Sequence, residues 1–400
     1  MITSEQVRER ARIPRDKEND YTDAMAAKRR EFIREETGAN LSHVAQYSVD
    51  PATLPGNIEN FIGIAQVPIG LAGPLRINGE HAKGDFYIPL ATTEGTLVAS
   101  YNRGMRLLTE SGGVKTTVVE ESMQRAPVFI LEDALQAREF GGWVTEHLAA
   151  IREQAEATTQ FGKLRNIGQF AVGPLRYLRF NYTTGDAAGQ NMAGKATFAA
   201  CEWIKRNYPG RLKYFLSGNI DTDKKHSYLN TLLTRGKRVV AEAVIQKSAL
   251  LRLMHLDTSE LFYARQVQMV GGFLAGSSNN GAHAANGLAA LFIATGQDVA
   301  NIAESHAAIT YSQPLDNGDF YWSITLPSLI VGTCGGGTGL ATQKQCLEML
   351  GCHGQGKAKK FAEICAAVVL AGETSLAAAM LNGEWVTAHE RMGRNRPATE

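Results

Sequence analysis

The sequence predicts an α+β fold: a large mixed α/β domain around a buried central helix, an inserted small domain, and a helical N-terminal piece. Three observations predict it. β-rich runs broken by Gly, Pro and Asn-Gly begin at Glu59; helix-like and strand-like runs alternate from Pro127 to Phe215; and an apolar, alanine-rich stretch at 282–295 is bounded by glycines. With 400 residues, 44% of them apolar, the chain can bury a sizeable core in two or three domain-sized units.

Within residues 1–50 the run AMAAKRREFIREETG has helical spacing, and this N-terminal segment ends near Pro51 and Pro55. VPIGLAGPLRINGEHAKGDFYIPLATTEG then reads as strands and tight turns, with Asn78-Gly79 as a hairpin turn. Beyond it, Leu97, Met105 and Leu108 fall on helical spacings that stop at Gly112-Gly113, which puts Glu94 at a helix start. Residues 127–215 read as a compact α/β module: PVFILED, a helix, the alternating LRYLRFNYTT, a helix from Asn191, and RLKYFLSG. The large domain is therefore expected to comprise 51–126 and 216–400. In it, AGSSNNGAHAANGLAALFIATGQD reads as a loop entering a buried helix, and VGTCGGGTGL as a Gly-rich turn leading into another.

A formal net charge of +1 without a block of Lys and Arg gives no reason to expect nucleic acid or an acidic membrane as partner. The charged start MITSEQVRERARIP lacks a signal-like apolar run, and no stretch is expected to span a membrane. The five cysteines show neither C-x-x-C pairs nor a zinc-like spacing, which favours a reducing cytoplasm and no metal. Rossmann, phosphate-loop, serine-hydrolase and zincin motifs are all missing from the sequence.

Chemistry is then left to acids, lysines and a histidine set in turn-rich sequence, each with a plainer structural reading beside it. Glu94 could simply complement a helix dipole. Asp223, Lys224 and Lys225 could be a solvated loop, or could clamp a carboxylate and polarise a carbonyl. Asp298 follows the C-terminus of a helix, where a carboxylate is unfavourable for the dipole and asks for a partner such as lysine. His389 alone reads as a surface residue or a mobile acid. Asp186–Met192 is a small-residue entrance to a helix whose amides could meet a phosphate.

Taken in order, these segments resemble the 3-hydroxy-3-methylglutaryl-CoA reductase family, of the class with the ATTEG signature. The resemblance rests on ENFIG (59–63), VPIGLAGPL, ATTEGTLVASYNRG, GDAAGQNM, SGNIDTDKK, AHAAN with GQD, VGTCGGGTGL and His389, spanning about Pro51 to Arg396. It implies two successive hydride reductions, thioester to aldehyde and aldehyde to alcohol, that release mevalonate and coenzyme A. Glu94, Lys224, Asp298 and His389 would be catalytic. Arg125, Ser217, Asp223 and Lys225 would hold the acid end of the acyl group, with Asn286 nearby, while Ser100, Asn102 and Arg103 would lie near CoA. Asp186, Gly189, Gln190 and Asn191 would contact NADPH, or NADH, on a small domain that is ferredoxin-like in this family. The resemblance also implies a homodimer or higher homo-oligomer with sites between subunits.

Two departures stand out. Relatives commonly read DAMGMNM where this chain has Ala188 and Gln190. A family lysine ahead of the AHAAN helix, which contacts the acyl carboxylate, is missing from Arg265–Val270, and the loop after it is one residue shorter. Either Arg265 replaces that contact, or the chain reduces a related acyl thioester; a non-catalytic CoA- or dinucleotide-binding relative is the remaining alternative.

Overall fold

A computed structural model describes residues 12–381; candidate His389 lies outside them. The first helix, α1 (Asp23–Thr37), starts where Thr22 Oγ accepts the Met25 N–H and stops at Gly38 in the left-handed region. Helix therefore occupies only part of the N-terminal piece. β1 (Ile69–Asn78) and β2 (Lys83–Ala91) form the expected hairpin, closed by four residues with Gly79 N–H on Ala82 O at 2.8 Å. α2 (Leu97–Glu110) buries Leu97, Met105 and Leu108, as their spacing requires. Glu94 lies three residues before it, in the turn leaving β2.

β3 (Lys115–Arg125), which has no clear turn signals around it, follows. The 127–215 segment then contains β4 (Val128–Ile130), α3 (Ala134–Glu146), α4 (Leu148–Glu156), β5 (Lys163–Val172), β6 (Leu175–Thr183), α5 (Gln190–Asn207) and β7 (Lys213–Phe215). β5 is an element the sequence reading passes over, because its alternation is broken at Gly168. Next come α6 (Tyr228–Leu233), β8 (Gly236–Ile245), α7 (Lys247–Met254), α8 (Thr258–Leu274), α9 (Ala284–Thr295), α10 (Ile302–Ser305), β9 (Ile309–Pro314), β10 (Phe320–Leu329), α11 (Ala341–Met349) and α12 (Ala358–Leu381).

All the strand pairs are antiparallel, and eight strands form one sheet in the order β7-β4-β6-β3-β8-β10-β9, with β5 on the other edge of β6. β3 joins the two halves: Lys115–Ser122 pair with β8, and Met123–Arg125 pair with β6. One apolar cluster gathers α2, α9, α12, β8 and β10, and a second gathers Met123, Phe129, Phe140, Leu178, Phe180, Ala196 and Ile204. The α+β class is thus as expected.

α9 is apolar on nearly every side and is buried accordingly. It has no cap of its own; the buried Glu373 of α12 accepts the amides of Ala282, His283 and Ala284 at 2.6–3.0 Å. A carboxylate there satisfies orphan donors and complements the helix dipole. α12 has the length and composition to cross a bilayer. Its most apolar window is 83% buried in protein and α12 carries Glu363 and Glu373, as a core helix does.

Candidate active site

Four loops meet around a cavity of about 730 Å³: the turn into α5, the loop after β7, the turn after α9, and the glycine run after β10. Its lining includes Arg125, Gly189, Gln190, Asp223, Lys224 and Asp298. Glycine makes the convergence possible. Gly296 has φ +69, and a Cβ there would lie 2.2 Å from Gly337 O. Gly189, at φ +86, would press a Cβ to 2.2 Å from Thr184 Cγ2. A side chain at Gly296 would push two of the loops apart, and one at Gly189 would open the turn into α5. Gln297 fastens them further, accepting the Gly332 N–H at 2.8 Å and donating to Gly332 O at 3.0 Å.

Lys224 Nζ lies 2.8 Å from Asp298 Oδ2, with both side chains slightly under half exposed. The partner that Asp298's position called for is therefore present; Asp298 also caps the next turn through the Ala300 N–H at 3.1 Å. The hydrogen bond to Asp298 raises the Lys224 pKa, against some desolvation, so the amine stays cationic.

The loop that carries Lys224 is strained and closely held. Asn219, Thr222 and Lys224 all have positive φ without being glycine. Such a backbone persists only when its surroundings over-determine it. Asn230 Nδ2 donates to Asp221 O and Thr222 Oγ1, Arg235 Nη2 donates to Asp223 Oδ1 at 2.6 Å, and the Lys224 amide donates to Glu304 Oε1 at 2.8 Å. Burial pushes the Asp223 carboxyl up, but Arg235, Gln190 and Arg125 outweigh it and hold it ionised. Arg125 Nη1 donates to the buried Asp221 at 3.1 Å, and its Nε is buried without a partner. Ser217 Oγ reaches Asp221 only at 3.4 Å, and Lys225 Nζ donates to Asp223 O.

On the opposite wall α5 begins at Gly189 with no side-chain cap and no acid in its first turn. Amides left open at a helix N-terminus suit an anionic group. Two candidate contacts there are otherwise engaged. The Asp186 carboxylate accepts the Gly356 and Ala358 amides at the start of α12, and Gln190 Nε2 donates to Asp223 Oδ1 and Asn301 Oδ1 at 2.9 and 3.0 Å.

The structure does not gather the remaining candidates here. Glu94 is exposed and is not among the residues lining this cavity. Ser100 and Arg103 bond Ser375 of α12, Asn102 accepts the Gly73 amide, and Asn286 donates to His283 Nδ1. Arg265 is buried in the wall of a second cavity of about 570 Å³, which shares no lining residue with the first. It donates to Gln268, Asn280 O and Thr310 Oγ1, with its guanidinium 5.0 Å over the Trp322 ring. Three of its donors are thus engaged within its own wall, which does not direct Arg265 toward the Lys224 cavity as a replacement for the family lysine.

Sequence reasoning passed over Arg235, Asn301 and Glu304. Their one signal, charge or amide within apolar sequence, also marks ordinary surface turns.

A sequence profile of the hydroxymethylglutaryl-coenzyme A reductase family matches residues 25–394. The 3-hydroxy-3-methylglutaryl-coenzyme A reductase of Pyrococcus abyssi is 46% identical over 376 residues, covering 92% of each chain. That of Methanocaldococcus jannaschii is 44% identical over 377 residues, again 92% of each. In fold the chain is similar to the class II 3-hydroxy-3-methylglutaryl-CoA reductase of Streptococcus pneumoniae solved with NADPH in open conformations. The TM-score is 0.67 at 20% identity, over 89% of this chain and 97% of that one. These matches place the protein among the oxidoreductases. It belongs to the hydroxymethylglutaryl-coenzyme A reductase family.

Proposed function

We propose that the chain reduces 3-hydroxy-3-methylglutaryl-CoA to mevalonate and CoA in two hydride steps, at the cavity that holds Lys224 and Asp298. Their 2.8 Å ion pair, facing the open amides of α5, carries this reading. NADPH, when bound, supplies the hydride. The uncapped α5 and the Gly335-Gly336 backbone, with nothing within 4 Å of either position's Cβ site, fit a phosphate-bearing cofactor held by the backbone amides of Gly189, Gln190 and Asn191. Residues 127–215 are on this reading the nucleotide-binding domain.

Lys224 stabilises the negative charge that builds on the carbonyl oxygen, and Asp298 keeps it charged and aimed. Glu94 delivers the proton to the alkoxide, and His389 protonates the departing CoA thiolate. Arg125, Ser217, Asp223 and Lys225 frame the acyl carboxylate, with Asn286 nearby and Ser100, Asn102 and Arg103 on the CoA side. Since Glu94 stands outside the cavity wall, we infer that the site is completed between two copies. Exposed Tyr263, Val267, Val270, Phe273 and Leu274 on α8 support a homodimer, because an apolar face of that size is unusual on a monomer. A cytoplasmic setting fits the five free cysteines.

The engagement of Arg265 elsewhere favours one second reading, a related acyl thioester that lacks the terminal carboxylate. A panel of acyl-CoAs with NADPH and NADH tests both, read by loss of cofactor absorbance. Equal turnover with and without that carboxylate selects the second reading, and binding without any turnover removes both. On the proposed roles, His389→Gln spares reduction of the free aldehyde relative to the thioester; equal loss of both would deny its part as thiolate acid.

A further inference from the structure

Below the lysine loop lies a buried ion pair that the roles above leave unused. Arg235, just before β8 and fully buried, places Nε 3.0 Å from Glu304 Oε2 and Nη2 2.6 Å from Asp223 Oδ1. Glu304 in α10, 1% exposed, accepts both the Lys224 amide at 2.8 Å and the Arg235 Nε–H at 3.2 Å on Oε1, while Oε2 is buried with no hydrogen-bond partner. Lys224 itself sits at φ +56, a conformation that disfavours an L-residue by about 1–2 kcal/mol. The Lys224 amide is thus held from beneath by the Glu304 carboxylate, while Asn230 and Arg235 hold the residues before it.

We propose that Glu304 is a positioning residue of the reductase site: as a carboxylate paired with Arg235 it holds Lys224 towards Asp298, and its protonation relaxes that hold. The inference rests on the function proposed above. Burial pushes the Glu304 carboxyl up to about 7, with Arg235 and the Lys224 amide pulling against it. Its switching therefore falls near neutrality. The charged groups facing it are Arg235, Asp223 and Lys224; α9 and β10, which pack against α10, carry no charged residue. His306 follows α10 with Nδ1 2.7 Å from Ile302 O, and His226, lowered by burial and then by His306, completes the titratable surroundings.

The decisive variant is Glu304→Gln, which keeps an oxygen for the Lys224 amide but cannot neutralise Arg235. The wild type is expected to lose kcat as pH falls through about 7, and the variant to lack that limb. At pH about 8 its kcat should drop roughly 10-fold with both KM values within about 2-fold, since the effect lies on the reacting geometry. Glu304→Asp, which restores the charge, should restore the acid limb. An unchanged limb in Glu304→Gln, or a loss confined to KM, would overturn the inference. A readout without turnover separates it from the functional proposal. In protein labelled with ¹⁵N-lysine, and assigned with Lys224→Arg, the Lys224 amide should titrate near neutrality in the wild type and not in Glu304→Gln. A flat Lys224 resonance in the wild type sinks the inference even in an active enzyme. Titration without activity on any thioester sinks the functional proposal instead.

Discussion

The walls of the two large cavities both include cations, yet they offer them differently. In the first, the buried Arg235 is neutralised from below by Asp223 and Glu304, so Lys224 above it remains nearly half exposed beside Asp298. In the second, Arg265 lies buried against Trp322 and donates to neutral acceptors. A cation assists a reaction when its geometry is fixed by groups other than those it must serve. Lys224 has such surroundings, whereas the bonds Arg265 makes are all to its own cavity wall.

The largest test of this contrast is Lys224→Ala, expected to lower both thioester and aldehyde reduction at least ~10³-fold, as loss of an oxyanion donor does. Retention of a tenth of wild-type rate, followed by NADPH oxidation, would move the chemistry out of the first cavity. Mixing inactive Glu94→Gln with inactive Lys224→Ala sharpens the contrast. If the acid and the lysine come from different copies of a two-fold dimer, random exchange restores about a quarter of the sites. No recovery after verified exchange would place both in one subunit.

A smaller effect is expected beside the second cavity. His283, stacked 4.8 Å from Tyr101, has its pKa lowered by burial to about 4. A histidine depressed in the fold contributes stability above its unfolded pKa of about 6.5 and loses it as pH falls towards 4, up to roughly 3 kcal/mol. Thermal melts should therefore weaken over that window in the wild type and less so in His283→Phe; parallel slopes would refute the assignment. The smallest effect on activity is expected for Arg265→Met. Stability should fall by about 1–3 kcal/mol as buried acceptors lose their donor, while the KM for the thioester changes less than about 3-fold. A tenfold rise in KM at unchanged kcat would make Arg265 an acyl contact and the two cavities one site.

Some of this was legible in the chain and some was not. Asp298 looked misplaced after a helix C-terminus, and the structure supplies its lysine. α2, the β1–β2 hairpin and α9 follow from apolar spacing and turn residues. α12 does not stand out as a core helix in the sequence, because its two buried glutamates, Glu363 and Glu373, interrupt the apolar run. Asp186 read as a nucleotide contact, yet its carboxylate is taken by amides 170 and 172 residues away. Arg235 and Glu304 are 69 residues apart and neither neighbourhood foretells the other.

Local patterning, which acts over a few residues through periodicity, caps and backbone freedom, thus settled the α+β class, the glycine-lined loops and the candidacy of Lys224 and Asp298. Which cation stays available, which carboxylate is raised towards neutrality, and why Glu94 stands apart depend on desolvation and on partners distant in the chain. Those forces arise only once the four loops have closed on one another.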